Sequence, residues 1–158
     1  MPAFVVKPIE RSFSDQVRES LRSPQYGHPA YAEVAAGYGP CRSCLNVFRA
    51  GEERRLLFTY DPFAGFDPYP SPGPIFIHEA HCKAYDQDGT FPPALRNLPL
   101  TLEGYGDGRW LIARERPADG EIEIAIDRIF ANREVQYIHV RNTEAGCFMF
   151  RIERAYGN

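Results

Sequence analysis

Two short clusters of cysteine and histidine residues have the composition of a metal site. The first is Cys41-x-x-Cys44, and the second is His78-x-x-His81-Cys82. A Cys-x-x-Cys turn can supply two thiolates to one tetrahedral zinc ion, and imidazole or further thiolate groups can complete the coordination. We therefore predict a metal site, with zinc as the expected ion, if the fold brings the two clusters together.

Thiol chemistry is a second interpretation of the same residues. Cys41 or Cys44 would act as a nucleophile after losing its proton to a base, and His78, His81 or His139 could be that base. A thioredoxin-type dithiol is not favoured, because no strand–helix–strand pattern surrounds the pair. Buried cysteines without any chemistry remain a third interpretation, since free cysteine is among the most buried residue types.

A polar row near the C-terminus is the candidate for ligand binding. Tyr137, His139 and Arg141 alternate with Ile138 and Val140, so a strand would place the three polar side chains on one face. Such a row could hold an anion or a carboxylate. The pattern is also typical of the solvated face of an antiparallel sheet, and we favour that simpler interpretation.

Several common enzyme classes are excluded by missing motifs. The sequence contains no glycine-rich phosphate loop, no serine nucleophile elbow, no zinc-protease helix motif and no dinucleotide fingerprint. An aromatic and proline-rich loop, residues 61–74, could cover a ligand pocket, although such loops more often cover the end of a sheet. Enzymatic activity is therefore left open.

Composition and charge limit the partners. The 158 residues are 44% hydrophobic with a net charge of −3, which is typical of one globular domain. The positive charges are scattered, so we expect no nucleic-acid partner, and no apolar run is long enough to span a membrane. Lys7 and Pro8 interrupt the N-terminal apolar run, so we expect no export signal and a cytoplasmic location.

The elements that must position these residues follow from hydrophobic periodicity and turn signals. Helices are predicted at residues 12–21 and 120–132, with a helical turn at 78–85 that would place His78, His81 and Cys82 on one face. Strands are predicted at residues 3–9, 45–48, 56–60, 74–78, 98–105, 109–114, 135–141 and 147–153. Three hairpins are expected among them, formed by 45–48 with 56–60, by 98–105 with 109–114, and by 135–141 with 147–153. The expected fold is one α+β domain, residues 1–158, with a largely antiparallel or mixed sheet and one main helix on one face.

The helix predicted at residues 120–132 has the clearest pattern. Asp119 can cap its first turn, and Ile124 falls outside the apolar stripe. The stripe expected to face the sheet consists of Ile122, Ala125, Ile126, Ile129 and Phe130.

Several segments together resemble a known protein family. They are residues 40–45, 51–53, 56–63, 73–78 with Cys82, 137–142 and 146–147. In this order they resemble an uncharacterised bacterial family catalogued as domain of unknown function 1203, over most of the chain from about Gly39 onward. The resemblance implies a stand-alone intracellular bacterial protein, but it assigns no activity and no catalytic residues.

Three functions therefore remain open. The leading hypothesis is a small-molecule or metal-binding domain organised around the cysteine and histidine clusters. The alternatives are a thiol-dependent enzyme that uses a Cys/His pair, and a protein-interaction module without catalysis.

Overall fold

The computed structural model describes residues 3–65 and 71–155, so residues 66–70 of the predicted proline-rich loop lie outside the description. Two ten-residue helices are present in this part of the chain, α1 (Arg11–Ser20) and α2 (Ile122–Ala131), with a 3-10 turn at Pro93–Leu95. The strands are β1 (Phe4–Lys7), β2 (Tyr31–Val34), β3 (Arg54–Tyr60), β4 (Gly73–His78), β5 (Leu100–Tyr105), β6 (Leu111–Glu115), β7 (Tyr137–Asn142) and β8 (Phe148–Arg154).

The larger sheet has five strands in the order β1-β8-β7-β5-β6, and every neighbouring pair is antiparallel. Both hairpins predicted in this half of the sequence are confirmed, as β5–β6 and β7–β8. Helix α2 packs on one face of the sheet, where its apolar stripe shares a core with Leu102, Ile138 and Val140. The predicted α+β class, largely antiparallel and with one main helix on one face, is confirmed.

Helix α2 follows its predicted pattern except at the cap. All five residues of the apolar stripe are buried, and Ile124 is exposed. Asp119 was the wrong cap, because the helix begins at Ile122 and Glu121 precedes it without a side-chain cap bond. The intervening Gly120 has a φ of +75°, and this left-handed turn separates Asp119 from the first helical amides.

A second sheet of three strands, in the order β2-β3-β4, was not predicted as a separate layer. The strand predicted at residues 45–48 is wrong, because β3 pairs with β2 and β4 instead. Residues 45–48 fold back on the preceding loop, where the amide of Phe48 donates to the carbonyl of Tyr38 at 2.8 Å. The amide of Phe48 is therefore already paired and is not available to a ladder with β3.

The helical turn predicted at residues 78–85 is also wrong. Strand β4 extends to His78, and the following residues form an irregular segment. Two amides of this segment bond to other parts of the chain, Glu79 to the carbonyl of Arg54 at 3.1 Å and Tyr85 to the carbonyl of Ser43 at 3.0 Å. These long-range bonds replace the local bonds of a helix.

The two sheets meet near β8. Phe148 on β8 belongs to a core that also contains Val17 of α1, Leu56 of β3 and Ile77 of β4. Cys41 and Cys44 lie in this same core, which places the first cysteine cluster between the three-stranded sheet and α1. Neither described helix is long and apolar enough to cross a lipid bilayer.

Candidate metal centre

The Cys41–Cys44 segment forms a tight turn beside β4. The amide of Leu45 donates to the carbonyl of Cys41 and the amide of Cys41 donates to the carbonyl of Asn46, both at 2.9 Å. Leu45 takes a φ of +60°, an uncommon conformation for a residue with a side chain. Two hydrogen bonds therefore stabilise the turn, and the sulfurs of Cys41 and Cys44 lie within 4.8 Å of each other.

Arg42 bonds this turn to both sheets. Its amide bonds to the carbonyl of Phe76 on β4 at 3.0 Å, and its guanidinium donates to the carbonyls of Phe148 at 2.8 Å and Pro40 at 2.6 Å. The side chain is buried, and burial lowers the pKa of Arg42 to about 10. The buried Arg42 side chain thus bonds the turn to a carbonyl of β8 and to the carbonyl of Pro40.

The end of β4 and the segment after it supply the other two side chains. His78 is the last residue of β4, and its amide donates to Cys41 Sγ at 3.3 Å. Cys82 lies four residues further on, and its Sγ is 3.7 Å from Cys41 Sγ. Because the bond from Tyr85 to Ser43 holds this segment against the turn, Cys82 reaches the same point without a helix.

Four side chains thus meet as one group, Cys41, Cys44, His78 and Cys82. Their ligand atoms all lie within 4.8 Å of one another, and Cys44 Sγ is 3.4 Å from His78 Nδ1. All four cysteines of the chain are free, so no disulfide competes for these sulfurs. We call this set the Cys3His group, and it is close enough to bind a metal ion.

The spacing inside the Cys3His group fits a tetrahedral ion. Zn–S bonds of about 2.3 Å and a Zn–N bond of about 2.0 Å at tetrahedral angles place two sulfurs about 3.7 Å apart and a sulfur and nitrogen about 3.5 Å apart. The observed distances are 3.7 Å between the sulfurs of Cys41 and Cys82, and 3.4 Å between Cys44 Sγ and His78 Nδ1. These two pairs are therefore already at the spacing of a tetrahedral site, within a group whose donors all lie within 4.8 Å of one another.

The electrostatics of the group favour a cation at its centre. Hydrogen bonding to the sulfurs of Cys41, Cys44 and Cys82 raises the pKa of His78 to about 12, against the opposing effect of burial. A proton on His78 is thus strongly stabilised by the sulfurs around it. A metal ion bound to this group would take the place of that proton.

Two charged residues, Glu53 and Arg18, lie beside the four donors. Glu53 Oε2 lies 2.9 Å from His78 Nε2, the ring nitrogen other than the one beside Cys44, although the geometry is not that of a hydrogen bond. A carboxylate beside this nitrogen is a common neighbour of metal-binding histidines. Arg18 of α1 donates to Cys82 Sγ at 3.2 Å and to the carbonyl of His78 at 3.0 Å. Three thiolates and a divalent ion carry one net negative charge, which Arg18 offsets.

His81 lies outside the Cys3His group. Its side chain is 68% exposed, and its Nδ1 is 3.9 Å from a carboxylate oxygen of Asp15. Sequence reasoning did not identify Arg18 and Glu53 as neighbours of the group. Neither residue is close to a cysteine or histidine in a recognisable motif, so no sequence signal was available for them.

The polar row of β7 is on one face of the strand, as its alternation predicts, but that face is not solvated. Tyr137 and His139 are buried, and Arg141 is partly buried. Arg141 Nε lies 2.9 Å from Glu103 Oε1, and the hydroxyl of Tyr137 donates to the carbonyl of Gly108. The favoured interpretation of a wet sheet face is therefore wrong, because Phe63 from the loop after β3 and Phe148 from β8 pack against His139 on this face.

Comparison with known proteins gave one match. A family model described as "Protein of unknown function (DUF1203)" matches residues 38–154, a range that contains the whole Cys3His group. No curated protein and no solved structure matched the chain.

Proposed function

The chain belongs to the DUF1203 family, and we propose that it is a zinc-binding domain in which the Cys3His group holds one structural zinc ion. The observation that carries this proposal is the convergence of four donors within 4.8 Å of one another. They come from two parts of the sequence that are 33 residues apart, so local chain geometry alone does not explain the convergence.

The donor set favours zinc over other divalent ions. Thiolate ligands are soft and select zinc or iron–sulfur chemistry, whereas magnesium and calcium require oxygen ligands. Three sulfurs and one imidazole form one of the recurrent structural zinc sets. Four protein ligands leave no position for a substrate, so the ion would stabilise structure and would not activate water.

The proposed zinc ion joins three separate parts of the chain. It would bind the turn at Cys41 and Cys44, the end of β4 at His78, and the irregular segment at Cys82. This segment has no regular backbone ladder of its own in the described structure. A metal bond to Cys82 would therefore fix the path of the chain between β4 and β5.

Zinc content tests the proposal, with a matched pair of cysteine variants. Protein purified without a histidine tag or chelator should contain one zinc per chain by elemental analysis. Cys82→Ser should lose most of this zinc, because it removes one of the four ligands. Cys147→Ser should retain it, since Cys147 Sγ lies outside the group and contacts the carbonyl of Ala145 at 3.9 Å.

The thiol-enzyme alternative predicts a different outcome. Arg18 beside the partly exposed Cys82 would stabilise a reactive thiolate in a metal-free protein. Wild-type protein can be purified in the same way, without a tag or chelator. If it then contains no metal and its Cys82 is alkylated much faster than Cys147, the zinc proposal is contradicted and the alternative is favoured. Equal zinc content in the two variants would contradict it as well.

A further inference from the structure

A pocket separate from the Cys3His group lies on the five-stranded sheet, on the face opposite α2. Its volume is about 170 Å³, and it shares no residue with the Cys3His group. Its wall includes Lys7, Tyr60, Asp61, His139, Phe148 and Arg151. A cavity of ~150 Å³ is known to hold a molecule as large as benzene, so this pocket has room for a small metabolite.

His139 forms the buried part of this wall. It is 0% exposed, and four aromatic rings surround it, with ring centroids 4.8 Å away for Phe63 and Phe148, 5.1 Å for Tyr137 and 5.3 Å for Tyr105. Burial, with the nearby cationic side chains of Arg141 and Arg151, lowers its pKa well below the usual value. The imidazole is therefore neutral, with one donor and one acceptor nitrogen.

Neither ring nitrogen of His139 has a hydrogen-bond partner in the described part of the chain. The two other members of the polar row do have partners, because Tyr137 donates to Gly108 and Arg141 pairs with Glu103. A buried polar group without a partner costs free energy, and such groups are rare in folded proteins. His139 is therefore a residue of the pocket wall whose hydrogen-bonding capacity the described residues leave unused.

Charges of both signs line the pocket beside His139. In the sheet register Lys7 lies opposite Arg151, and Arg151 lies opposite His139, so the three side chains share one face. Carboxylates of Glu10, Glu153 and the buried Asp61 also line the pocket. Two of these already have partners, since Glu153 Oε2 lies 3.0 Å from Arg151 Nε and Asp61 Oδ1 accepts the amides of Phe63 and Ser71. These basic residues and these carboxylates form two sets of opposite charge. A ligand with a single charge would be attracted by one set and repelled by the other.

We propose that this pocket binds a small zwitterion of amino-acid size. Its carboxylate would lie toward Arg151, Lys7 and the donor nitrogen of His139, and its ammonium group toward Glu10 and Asp61. The volume admits such a molecule and the two sets of charges match its two ends. A bare carboxylate or a bare amine matches only one set and should bind more weakly.

Nuclear magnetic resonance of protein with isotope-labelled histidine tests the ligand class. Glycine, L-alanine and L-serine are the zwitterionic probes, with acetate and methylammonium as probes that carry one charge each. At least one zwitterion should shift the His139 imidazole signals in a saturable way, with an affinity at least about tenfold above that of acetate or methylammonium. No saturable shift at concentrations well above about 1 mM, or equal affinity for acetate, would overturn the proposal.

His139→Phe and Arg151→Gln test the residues. His139→Phe keeps an aromatic ring in the cluster and removes the unpaired nitrogens, so its melting temperature should be equal to or higher than that of the wild type while zwitterion binding is lost. Arg151→Gln, at a partly exposed site, should weaken binding about tenfold or more. Arg116→Gln, exposed and outside the pocket, is the matched control and should bind normally. Unchanged binding in His139→Phe or in Arg151→Gln would overturn the proposal.

Discussion

Removal of the proposed zinc ion should lower the free energy of unfolding by about 4 kcal/mol or more, which is the stabilisation from a ligand present at about a thousand times its dissociation constant. For a chain of this length that loss corresponds to a fall in melting temperature of roughly 8–16 °C. The reason is that metal binding to a preformed group is available only in the folded state. Thermal unfolding before and after treatment with a strong chelator measures the effect.

The zinc ligands provide the control for this experiment. Cys82→Ser should already unfold near the temperature of the chelated wild type, and chelator should not lower it further. Cys147→Ser should respond to chelator as the wild type does, because Cys147 is not in the Cys3His group. Wild-type protein that unfolds at the same temperature with and without chelator would contradict a structural role for the ion.

Ile126→Ala should destabilise the domain by about 2–5 kcal/mol, because it removes buried methyl groups and leaves a cavity. Ile126 is fully buried in the core between α2 and the larger sheet. In this core Gly104 of β5 allows a close approach of the helix, since a Cβ at that position would lie 2.7 Å from Ile129 Cγ2. The surroundings are tightly packed, so they have little freedom to collapse into the cavity.

Ile124→Ala is the matched control, since it deletes the same atoms from the same helix. Ile124 is 55% exposed, so its substitution should cost less than about 1 kcal/mol. Urea unfolding of both variants gives the two values. Similar losses in the two variants would mean that the helix does not bury the face described above.

Helix α2 and the two confirmed hairpins were predictable because their signals are local. The apolar stripe of α2 repeats at helical spacing, and the loop at residues 106–110 that joins β5 and β6 contains the turn residues Gly106, Asp107 and Gly108. The three-stranded sheet was not predictable in the same way. Its β2 strand, Tyr31–Val34, is exposed at most of its residues and lacks the alternation that identifies a half-buried strand.

The residue types of the metal group could be predicted, but the route by which they meet could not. The sequence reasoning placed His78, His81 and Cys82 on one helical face. In the structure His78 ends a strand and Cys82 follows in an irregular segment, which leaves His81 exposed. Hydrogen bonds to residues far away in the sequence determine that path, such as the bond from Tyr85 to Ser43.

The burial of His139 is a similar case. Its strand alternates polar and apolar residues, which is typical of a sheet with one wet face. The aromatic rings that cover His139 include Phe63, which comes from a loop, and Phe148, which comes from the neighbouring strand. Phe148 belongs to the same sheet as His139, but Phe63 follows β3 of the other sheet, so its contact depends on how the two sheets meet.

The most direct test of the account is X-ray absorption at the zinc edge of tag-free protein purified without chelator. The Cys3His group predicts one zinc per chain, with three sulfur ligands at about 2.3 Å and one nitrogen ligand at 2.0–2.1 Å. Cys82→Ser should reduce the sulfur contribution or abolish the zinc signal. A zinc ion surrounded only by nitrogen and oxygen would contradict the account. So would purified protein that contains no metal and unfolds at the same temperature with and without added zinc.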